Sequence, residues 1–329
     1  MSVVELQCGE NSNHQHNSQT MTYLKASEND WDVAHRELHL DDVYRELLAK
    51  TKAESPKDFP WTFSSVPGFF KQATDPNIDD ACFDYTQDFG RLKPWQQIID
   101  ELNQLNQQDE NVKYKLVFFA RHGQGPHNII VDTYGLQAWL DKYRYMGEDP
   151  ETGLVYAPDP PLSSLGELQA AENNQAWRRQ LAAGAPVPTK FYVSPLQRSC
   201  QTLDITWKDI DIPHKPVVCE YLRETIGINL CDKRLHRHVI EERFPHYCTL
   251  RLHHDDDELF SDEVRELFAE QSIRCNRFLQ HLFDDDDDVV VSTTSHGGTI
   301  RGFITVLGHP KFCITTGGMI PIVIKGERQ

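Results

Sequence analysis

The sequence predicts an α/β protein, a three-layer sandwich in which helices flank a largely parallel sheet. From residue 113 onward, short apolar runs alternate with helical patterns, which is the order that parallel sheets require. The run YKLVFFA at 114–120 is aromatic-rich and does not alternate, as expected for a strand buried on both faces. A second strongly apolar strand is predicted within DVVVSTTSHGG at 288–298, and both strands end in residues of catalytic type.

The remaining elements of the predicted sandwich follow in chain order. Ser163 or Ser164 is expected to cap a helix, because Glu167 follows at the spacing of a capping box. The predicted helices cover 128–143, 162–181, 197–207, 262–283 and GTIRGFITVLG at 298–308. The predicted strands, besides the two above, cover 190–196, 216–222 and 318–326.

Composition limits the class of protein. A chain of 329 residues with 39% hydrophobic residues can form one large domain with insertions, or one domain plus a tail. The net charge of -17 argues against nucleic-acid binding, which needs a basic face. No apolar run has the length that a bilayer requires, and the first twenty residues are polar where an export leader would be apolar. Eight cysteines without a CxxC pair are typical of unpaired thiols, so we expect a cytoplasmic or nuclear protein.

Three regions are expected along the chain. The first is rich in Asn, Gln, Ser and His, which is typical of disorder. The second has scattered aromatic residues, a helix within 31–50 and another near 95–105. The expected regions are a disordered tail at 1–20, an extension at 21–112 that packs on the catalytic domain, and the catalytic domain at 113–329 with a polar insertion at about 227–261.

Polar clusters follow four of the predicted strands. If these strands are parallel, all four clusters meet at one edge of the sheet, where ligands bind in open α/β folds. Arginines offer forked donors to phosphate oxygens, and positive charge held in place there favours phosphoryl transfer. The chain has no Walker or kinase signature, which leaves a nucleophilic imidazole as the candidate. The clusters are Arg121-His122, Ser194 to Arg198, Leu222-Arg223-Glu224 and Ser295 to Gly298.

Five motifs, taken in order, resemble those of the phosphoglycerate-mutase-like histidine phosphatases. They are RHGxxxxN at 121–128, LSxxGxxQA at 162–170, SPLxR at 194–198, LRExxG at 222–227 and SHGG at 295–298. The longer strings ARHGQGxHN and LRETxGxxxCDKR are similar to a fungal cytosolic branch whose members carry phosphomutase names. A histidine-phosphatase-like subunit of a fungal RNA polymerase III transcription factor is similar to the same branch. The resemblance therefore implies the phosphoglycerate-mutase-like fold and leaves both enzymes and an assembly module open.

The resemblance also implies roles for individual residues around the phosphoryl group. His122 would be the nucleophile that becomes phosphorylated. The residues that would surround the phosphoryl group are Arg121, Arg198 and His296. SHGG lacks the His-Asp pair of the acid-phosphatase and phytase branch, so the proton donor is expected elsewhere.

Glu224 would be that donor and then the base that activates water. Its carboxyl group must be protonated near neutral pH for the first task, and burial could arrange this. Asn128 and the backbone N–H of Gly297 would bind the phosphate as well. A departure from the family lies at Gln124-Gly125, where many members have a hydroxyl residue that contacts the phosphate.

Lys233 and Arg234 follow shortly after the expected proton donor. They could contact a second anionic group or a sugar hydroxyl of the substrate, or they could simply form a solvated helix start. Neither a cofactor nor a metal is expected. The alternatives for a metal are His35 and His39, which stand four residues apart but lack a third ligand.

Two acidic runs, HHDDDE at 253–258 and DDDDD at 284–288, are expected to be solvated loops, with divalent-cation binding as the alternative. The functional hypotheses are three. The first is a phosphomonoesterase that hydrolyses a small phosphorylated metabolite such as a sugar phosphate. The second is a phosphomutase, and the third is a phosphatase-like assembly module without turnover. The expected partner is the phosphorylated substrate, with no nucleic acid and no membrane, and with room for a protein partner.

Overall fold

The computed structural model describes residues 22–35, 40–75 and 77–329. The predicted tail at 1–20 lies outside the described residues. One six-stranded sheet has the order β1-β6-β2-β5-β3-β4. The strands are β1 (Trp61–Ser65), β2 (Val112–Arg121), β3 (Lys190–Val193), β4 (Val217–Val218), β5 (Val290–Ser295) and β6 (Met319–Arg328). Strand β6 is antiparallel to both of its neighbours and the other three pairings are parallel, so the predicted largely parallel sheet is confirmed.

Helices cover both faces of this sheet. In chain order they are α1 (Glu28–His35), α2 (Leu40–Glu54), α3 (Lys71–Thr74), α4 (Trp95–Leu105), α5 (Pro126–Tyr134), α6 (Leu136–Asp141), α7 (Ser164–Ala182), α8 (Gln197–Thr206), α9 (Arg237–Arg243), α10 (Phe268–Asp284) and α11 (Gly297–Val306). Helix α7 begins as predicted, because the Ser163 side chain accepts a hydrogen bond from the Gly166 N–H. No helix in the described part of the chain is long and apolar enough to span a bilayer.

Strand β2 separates two hydrophobic clusters, because its side chains alternate between the faces of the sheet. Leu116 and Phe118 pack with residues of α4, α7 and α8. Val117 and Phe119 pack on the opposite face with residues of α2, α10 and α11. All four side chains are fully buried, which confirms the expected strand with two buried faces. The architecture is the predicted three-layer sandwich.

The register of the parallel strands brings the polar clusters to one edge. Arg121 of β2 lies opposite Ser295 of β5, and Val193 of β3 lies opposite Thr294 of β5. The residues that follow these pairs in the chain are His122, Ser194 and His296. Neighbouring strands in a sheet are about 4.8 Å apart, so these side chains start close together.

Strand β1 was absent from the prediction, which treated the chain before residue 112 as an irregular extension with two helices. Five residues, Trp61–Ser65, pair with β6 across the register from Trp61↔Arg328 to Ser65↔Ile324. A run this short shows no clear alternation in the sequence, so only its pairing with a distant strand reveals it. The predicted division into an extension at 21–112 and a domain at 113–329 stays a prediction.

Other elements differ from their predicted bounds as well, and the strand expected at 190–196 ends at Val193. The strand expected at 216–222 has only two residues, since the chain turns into a 3-10 helix at Glu220–Leu222. The helix expected at 128–143 is interrupted at Gly135, whose φ of +83° and ψ of 160° favour glycine. The helix expected from 262 starts at Phe268.

The cysteines largely agree with the expectation of unpaired thiols. Among the described residues six are free, and five of these are buried. Cys82 is disulfide-bonded, so the expectation is wrong at this position.

Candidate active site

His122 lies directly after β2, and its ring is held in one orientation. Its Nδ1 is 2.6 Å from the Gly123 carbonyl oxygen. A carbonyl can only accept, so Nδ1 carries the proton and Nε2 keeps its lone pair. A Cβ on Gly123 would lie 2.4 Å from the Gly166 carbonyl oxygen, so glycine allows this close approach. Burial and then the charge of Arg198 hold the pKa of His122 well below its ordinary value, which keeps the ring neutral.

Arg198, the second residue of α8, is fully buried and contacts this ring. Its Nε donates to Nε2 of His122 at 3.3 Å. The other donors fix the guanidinium, with Nη1 bonded to the Cys231 carbonyl at 3.0 Å and Nη2 to Oδ1 of Asp232 at 2.8 Å. Burial raises the pKa of Asp232 although the charge of Arg198 opposes this. Asp232 was absent from the predicted site residues, yet it anchors the arginine beside the nucleophile.

His296 supports the same arginine from β5. Its ring centre lies 4.9 Å from that of His122. Its Nδ1 is 3.4 Å from Nη2 of Arg198, which can only donate, so Nδ1 accepts. The proton is then on Nε2, which donates to Oγ of Ser194 at 2.7 Å. Burial, followed by Arg198, holds the pKa of His296 well below its ordinary value, so this second histidine is also neutral.

Arg121, the last residue of β2, is bound by the N-terminal segment. Its Nη1 donates to Oδ1 of Asp30 on α1 at 2.5 Å and to the Ile314 carbonyl at 2.7 Å. Its Nε is buried and has no hydrogen-bond partner among the described residues. A Cβ on Gly297 would lie 3.2 Å from this Nε, so the arginine packs directly on the start of α11. One edge of the guanidinium is therefore neutralised and the other is left for an anion.

Asn128 and Gly297 also reach the site, as predicted. The Asn128 carboxamide oxygen accepts the Gly125 N–H at 2.9 Å, which leaves its NH₂ group as the donor for a ligand. Gly297 is the first residue of α11, where unpaired N–H groups and the helix dipole favour anions. Both residues line a cavity of about 440 Å³.

Glu224 lines the same cavity, but its protonation differs from the expectation. Its Oε1 accepts the Thr225 N–H at 2.9 Å and its Oε2 accepts the Gly298 N–H at 3.2 Å. Burial alone would raise the pKa of Glu224, but the Thr225 N–H, the charge of Arg265 and the Gly298 N–H outweigh it and lower the pKa. The expectation that burial keeps this carboxyl protonated is wrong for the unliganded protein.

His122, Arg198 and His296 are buried and do not line the cavity. The relative exposures of His122, Arg198 and His296 are 3%, 0% and 0%. Nearby residues that line the cavity are Asp30, Arg121, His127, Asn128, Asp232 and Gly297. Pairs of arginines, buried neutral imidazoles and a carboxylate in one place can bind and transfer a phosphoryl group.

Lys233 and Arg234 do not line this cavity, so their predicted contact with substrate is wrong. Nζ of Lys233 lies 5.1 Å from the centre of the Phe260 ring. Arg234 is buried and its Nε donates to Oε1 of Glu220 at 2.7 Å. Its Nη atoms donate to the carbonyls of Leu235, His254, Asp255 and Asp256. Arg234 therefore holds the acidic run at 253–258 in shape.

Asp257, within that run, connects the loop to the site. Both of its carboxylate oxygens accept from Arg223 at 2.6 Å. Nη2 of Arg223 also donates to the Asp232 carbonyl at 2.9 Å, and Asp232 in turn holds Arg198. The expectation of a solvated loop is therefore wrong at Asp257. Sequence patterns could not show which of three consecutive aspartates points inward.

The second acidic run is also partly structural. Asp284 accepts from the Trp61 indole N–H at 2.9 Å, and Asp286 accepts from the Tyr192 hydroxyl at 3.1 Å. Nζ of Lys115 donates to the carbonyls of Asp286 and Asp288, and burial lowers the pKa of Lys115 to about 8. This run closes the end of the sheet opposite the site.

The histidines considered for a metal are placed as follows. His35 contacts Asp80 at 3.0 Å through Nε2 and the Trp31 carbonyl at 3.0 Å through Nδ1. His39 lies outside the described residues. A group of exposed side chains with metal-ligand spacing is formed by His236, which precedes α9, and by Asp255 and Asp256 of the first acidic run.

His127 is a site residue to which the sequence motifs gave no role. It lines the cavity, and its ring centre is 5.7 Å from that of His122. Burial, followed by the charge of Arg198, holds the pKa of His127 well below its ordinary value. His127 stands directly before Asn128 at the end of the first motif, but sequence spacing alone does not show where its ring points.

The sheet topology and the two buried histidines at its edge define a protein of the histidine phosphatase class. The model of the "Histidine phosphatase superfamily (branch 1)" matches residues 146–311, starting after the RHG motif and including the four later motifs. The chain belongs to this superfamily. Membership of this superfamily supports an activity of the phosphatase or mutase type, without naming a substrate.

Two relatives match most of the chain. A "Probable phosphoglycerate mutase" of Arthroderma benhamiae is 33% identical over 288 residues, covering 81% of this chain and 85% of the relative. A "Phosphomutase-like protein 3" of Candida albicans is 34% identical over 269 residues, covering 80% of each. Among solved structures, an alpha-ribazole phosphatase from Shigella flexneri is 19% identical with a TM-score of 0.39, covering 63% of this chain and 94% of that chain.

Proposed function

We propose that the protein is a metal-independent phosphomonoesterase that hydrolyses a phosphorylated metabolite through a phosphohistidine on His122. The observation that carries the proposal is the orientation of this ring. Nδ1–H is fixed on the Gly123 carbonyl, and the lone pair of Nε2 faces Nε of Arg198 at 3.3 Å. A neutral imidazole keeps a lone pair that can attack phosphorus once a bound phosphate takes over the hydrogen bond from Arg198.

In the first half-reaction the lone pair of His122 attacks phosphorus. The N–P bond forms while the ester P–O bond breaks, and the leaving alkoxide takes a proton from Glu224. Arg121 and Arg198 stabilise the charge on the non-bridging oxygens, and the Gly297 N–H adds a donor at the start of α11. These groups supply the positive charge that a metal ion supplies in other phosphatases.

The proton on Glu224 arrives with the substrate. The pKa of this carboxyl is lowered in the unliganded protein, so it is ionised there. A bound phosphate dianion places negative charge in the same cavity, and a like charge favours the protonated form of a carboxyl group. Protonation of Glu224 is thereby coupled to phosphate binding.

In the second half-reaction water attacks the phosphohistidine. The Glu224 carboxylate removes a proton from this water, the N–P bond breaks, and inorganic phosphate leaves with His122 restored. Glu224 is only half-buried and lines the cavity, which supports access of water to the base. The mutase names of the relatives favour a second candidate, in which the phosphoryl group returns to the substrate.

The experiment measures phosphate released by purified protein from a panel of phosphomonoesters in EDTA. We expect turnover, and an acid-labile, base-stable phosphoenzyme in rapid quench. Transfer to an added alcohol in place of water would favour the mutase. If neither phosphate nor phosphoenzyme formed with any compound, the assembly module without turnover would replace the proposal. A cytoplasmic or nuclear location and a protein partner stay predictions.

A further inference from the structure

The cavity above His122 has an apolar part that the phosphoryl chemistry does not use. Besides the polar residues already described, it is lined by side chains from three separate regions of the chain. The apolar residues that matter here are Ala34 and Leu40 of the N-terminal helices, Leu136, Trp139 and Leu140 of α6, and Phe268 of α10. We call these six residues the apolar wall.

The apolar wall is a fixed part of the fold. The segment before α1 is held by hydrogen bonds from Thr315 Oγ1 to the Lys25 carbonyl at 2.5 Å and from Gln169 Nε2 to the Tyr23 carbonyl at 3.0 Å. Asp30 then joins α1 to Arg121. On the other side, Trp139 is only 5% exposed and packs on Tyr156 with ring centres 6.1 Å apart. A cavity surface fixed in this way is shaped before a ligand arrives.

The positively charged side chains around the cavity already have partners, so few contacts are left for a second anionic group of a substrate. Asp30 is paired with Arg121 and Asp232 with Arg198. Arg265, which lines the cavity, donates to the Gly227 carbonyl at 2.8 Å and lies 3.8 Å from Asp232. Arg301, which also lines the cavity, lies over the Phe268 ring, with its guanidinium carbon 4.4 Å from the ring centre. A carboxylate or second phosphate would lose its hydration without gaining an uncommitted guanidinium.

We propose that the substrate is a phosphomonoester whose alcohol carries an apolar or aromatic group, and that this group packs on the apolar wall. The proposal rests on the proposed function and names the substrate class of the same site. A volume of about 440 Å³ holds a phosphate together with a ring or a short alkyl chain. A small polyol phosphate would leave the apolar wall in contact with water.

The experiment compares kcat/KM for n-alkyl phosphates from methyl to hexyl, with 3-phosphoglycerate as the doubly anionic substrate. We expect kcat/KM to rise roughly threefold to fourfold for each added methylene and to exceed that for 3-phosphoglycerate. A flat series, or a preference for 3-phosphoglycerate, would overturn the proposal.

Two leucine variants test whether the alkyl group packs on the apolar wall. Leu140 is 38% exposed, so Leu140→Asp should fold, and it should flatten the dependence of kcat/KM on alkyl chain length. Leu168→Asp is the matched control, because Leu168 is an exposed helical leucine of α7 that does not line the cavity. Equal series in Leu140→Asp and wild type would place the alkyl group elsewhere and overturn the proposal.

A binding measurement separates this proposal from the proposed function. The dissociation constants of alkylphosphonates, which are not hydrolysed, should fall with chain length for the wild-type protein. If binding tightened in this way while no phosphate was released from any ester, the proposed hydrolysis would fail and the apolar wall would stand. If turnover occurred and the dissociation constants did not depend on chain length, only the proposed packing on the apolar wall would be contradicted.

His127 is a cavity residue with an unpaired ring nitrogen. Its Nδ1 is buried and has no hydrogen-bond partner among the described residues, although the side chain lines the cavity. A Cβ on Gly125 would lie 2.8 Å from Nδ1 and from Cε1 of this ring. The φ of Gly125 is -103°, which any residue adopts, so space and not backbone conformation requires glycine here. The ring thus fills the position that a side chain at 125 would occupy.

An unpaired nitrogen in a buried ring costs free energy unless a partner arrives. His127 lies 5.7 Å from His122 between ring centres, so a phosphate held beside His122 comes within reach. The ring edge that carries Nδ1 faces Gly125, and the side chain lines the cavity. We infer that His127 donates a hydrogen bond to a phosphate oxygen and is a substrate-binding residue.

The test measures the dissociation constant of inorganic phosphate. His127→Ala should weaken binding roughly tenfold or more, as expected for a lost hydrogen bond to a charged group. His309→Asn is the matched control, since His309 is also buried with an unpaired Nε2 but lies outside the cavity lining. Unchanged phosphate binding by His127→Ala would overturn the inference.

A rescue distinguishes binding from structural support. In the His127→Ala protein the space beside Gly125 is free, so adding Gly125→Ser places a hydroxyl where the ring was. This double variant should recover much of the phosphate affinity, whereas Gly125→Ser alone should clash with the ring and weaken binding. Failure of the double variant to bind more tightly than His127→Ala would count against a hydrogen bond at this position.

Discussion

The floor of the site and its wall are built in different ways. The floor consists of His122, Arg198 and His296, which follow three strands that are neighbours in the sheet, β2, β3 and β5. The wall depends on contacts between distant segments, such as Asp30 with Arg121 across 91 residues. Backbone register fixes the floor, whereas side-chain contacts alone fix the wall. Changes in the floor should therefore abolish the chemistry, and changes in the wall should alter which compound binds.

The largest effect is expected for the nucleophile in the floor. His122→Asn should lower phosphate release by roughly 10⁴-fold or more, as for other nucleophiles that act as part of a unit. His246→Asn, at an exposed histidine, is the control and should keep full activity. Circular dichroism checks the fold of the His122→Asn protein, and phosphate release measures its turnover. Retained turnover in a correctly folded variant would show that the floor does not carry the chemistry.

Glu224 lies where the floor meets the cavity. Glu224→Gln should slow alkyl phosphates by roughly 10²-fold, the usual cost of losing a general acid. It should slow p-nitrophenyl phosphate much less, because nitrophenolate leaves without a proton. The rates are compared under single-turnover conditions. Equal losses on both substrates would show that Glu224 positions the phosphate and donates no proton.

Asp257 tests whether the floor depends on a loop outside it. Asp257→Asn leaves the buried charge of Arg223 poorly paired, so the free energy of unfolding should fall by about 3 kcal/mol. Asp256→Asn is the neighbouring control, since Asp256 has a side chain that is 76% exposed. Urea denaturation measures both. Equal, small effects would mean that the loop and the floor are independent.

Asp30 joins wall and floor. Asp30→Asn keeps the shape of the side chain but removes the charge beside Arg121, so inorganic phosphate should bind roughly threefold more tightly. Glu28→Gln, at an exposed carboxylate of the same helix, should leave phosphate binding unchanged. Calorimetric titration decides between them. Weaker binding by Asp30→Asn would show that Asp30 chiefly orients Arg121.

The smallest effect concerns pH. The pKa of His122 is held well below its ordinary value by burial and Arg198, so its neutral form persists as pH falls below 6.5. We expect kcat/KM to change little between pH 7.5 and about 6 on account of this group. An acidic decline centred near 6.5 in the kcat profile at saturating substrate, where the second ionisation of the free phosphate ester near pH 6 no longer contributes, would contradict a depressed pKa for His122.

Sequence patterns predicted the floor because parallel strands carry their end residues to one edge, and His122, Arg198 and His296 follow from that rule. They did not predict Asp30 or Asp257, because each contacts an arginine far away in the chain. The protonation state of Glu224 could not be predicted from the sequence either, since it depends on the Gly298 N–H at the start of another helix. Residues whose roles come from long-range side-chain contacts carry no periodic signal.

Strand β1 decides how the protein could be shortened. It covers the outer edge of β6, a ten-residue strand whose first six residues are buried. A fragment that began at residue 113 would keep every catalytic side chain and lose this cover. Its exposed β6 edge would offer unpaired N–H and C=O groups to the same edge of other molecules, which is a route to aggregation. We therefore expect such a fragment, which also loses the packing of α2 and α4 on the two hydrophobic clusters, to be insoluble.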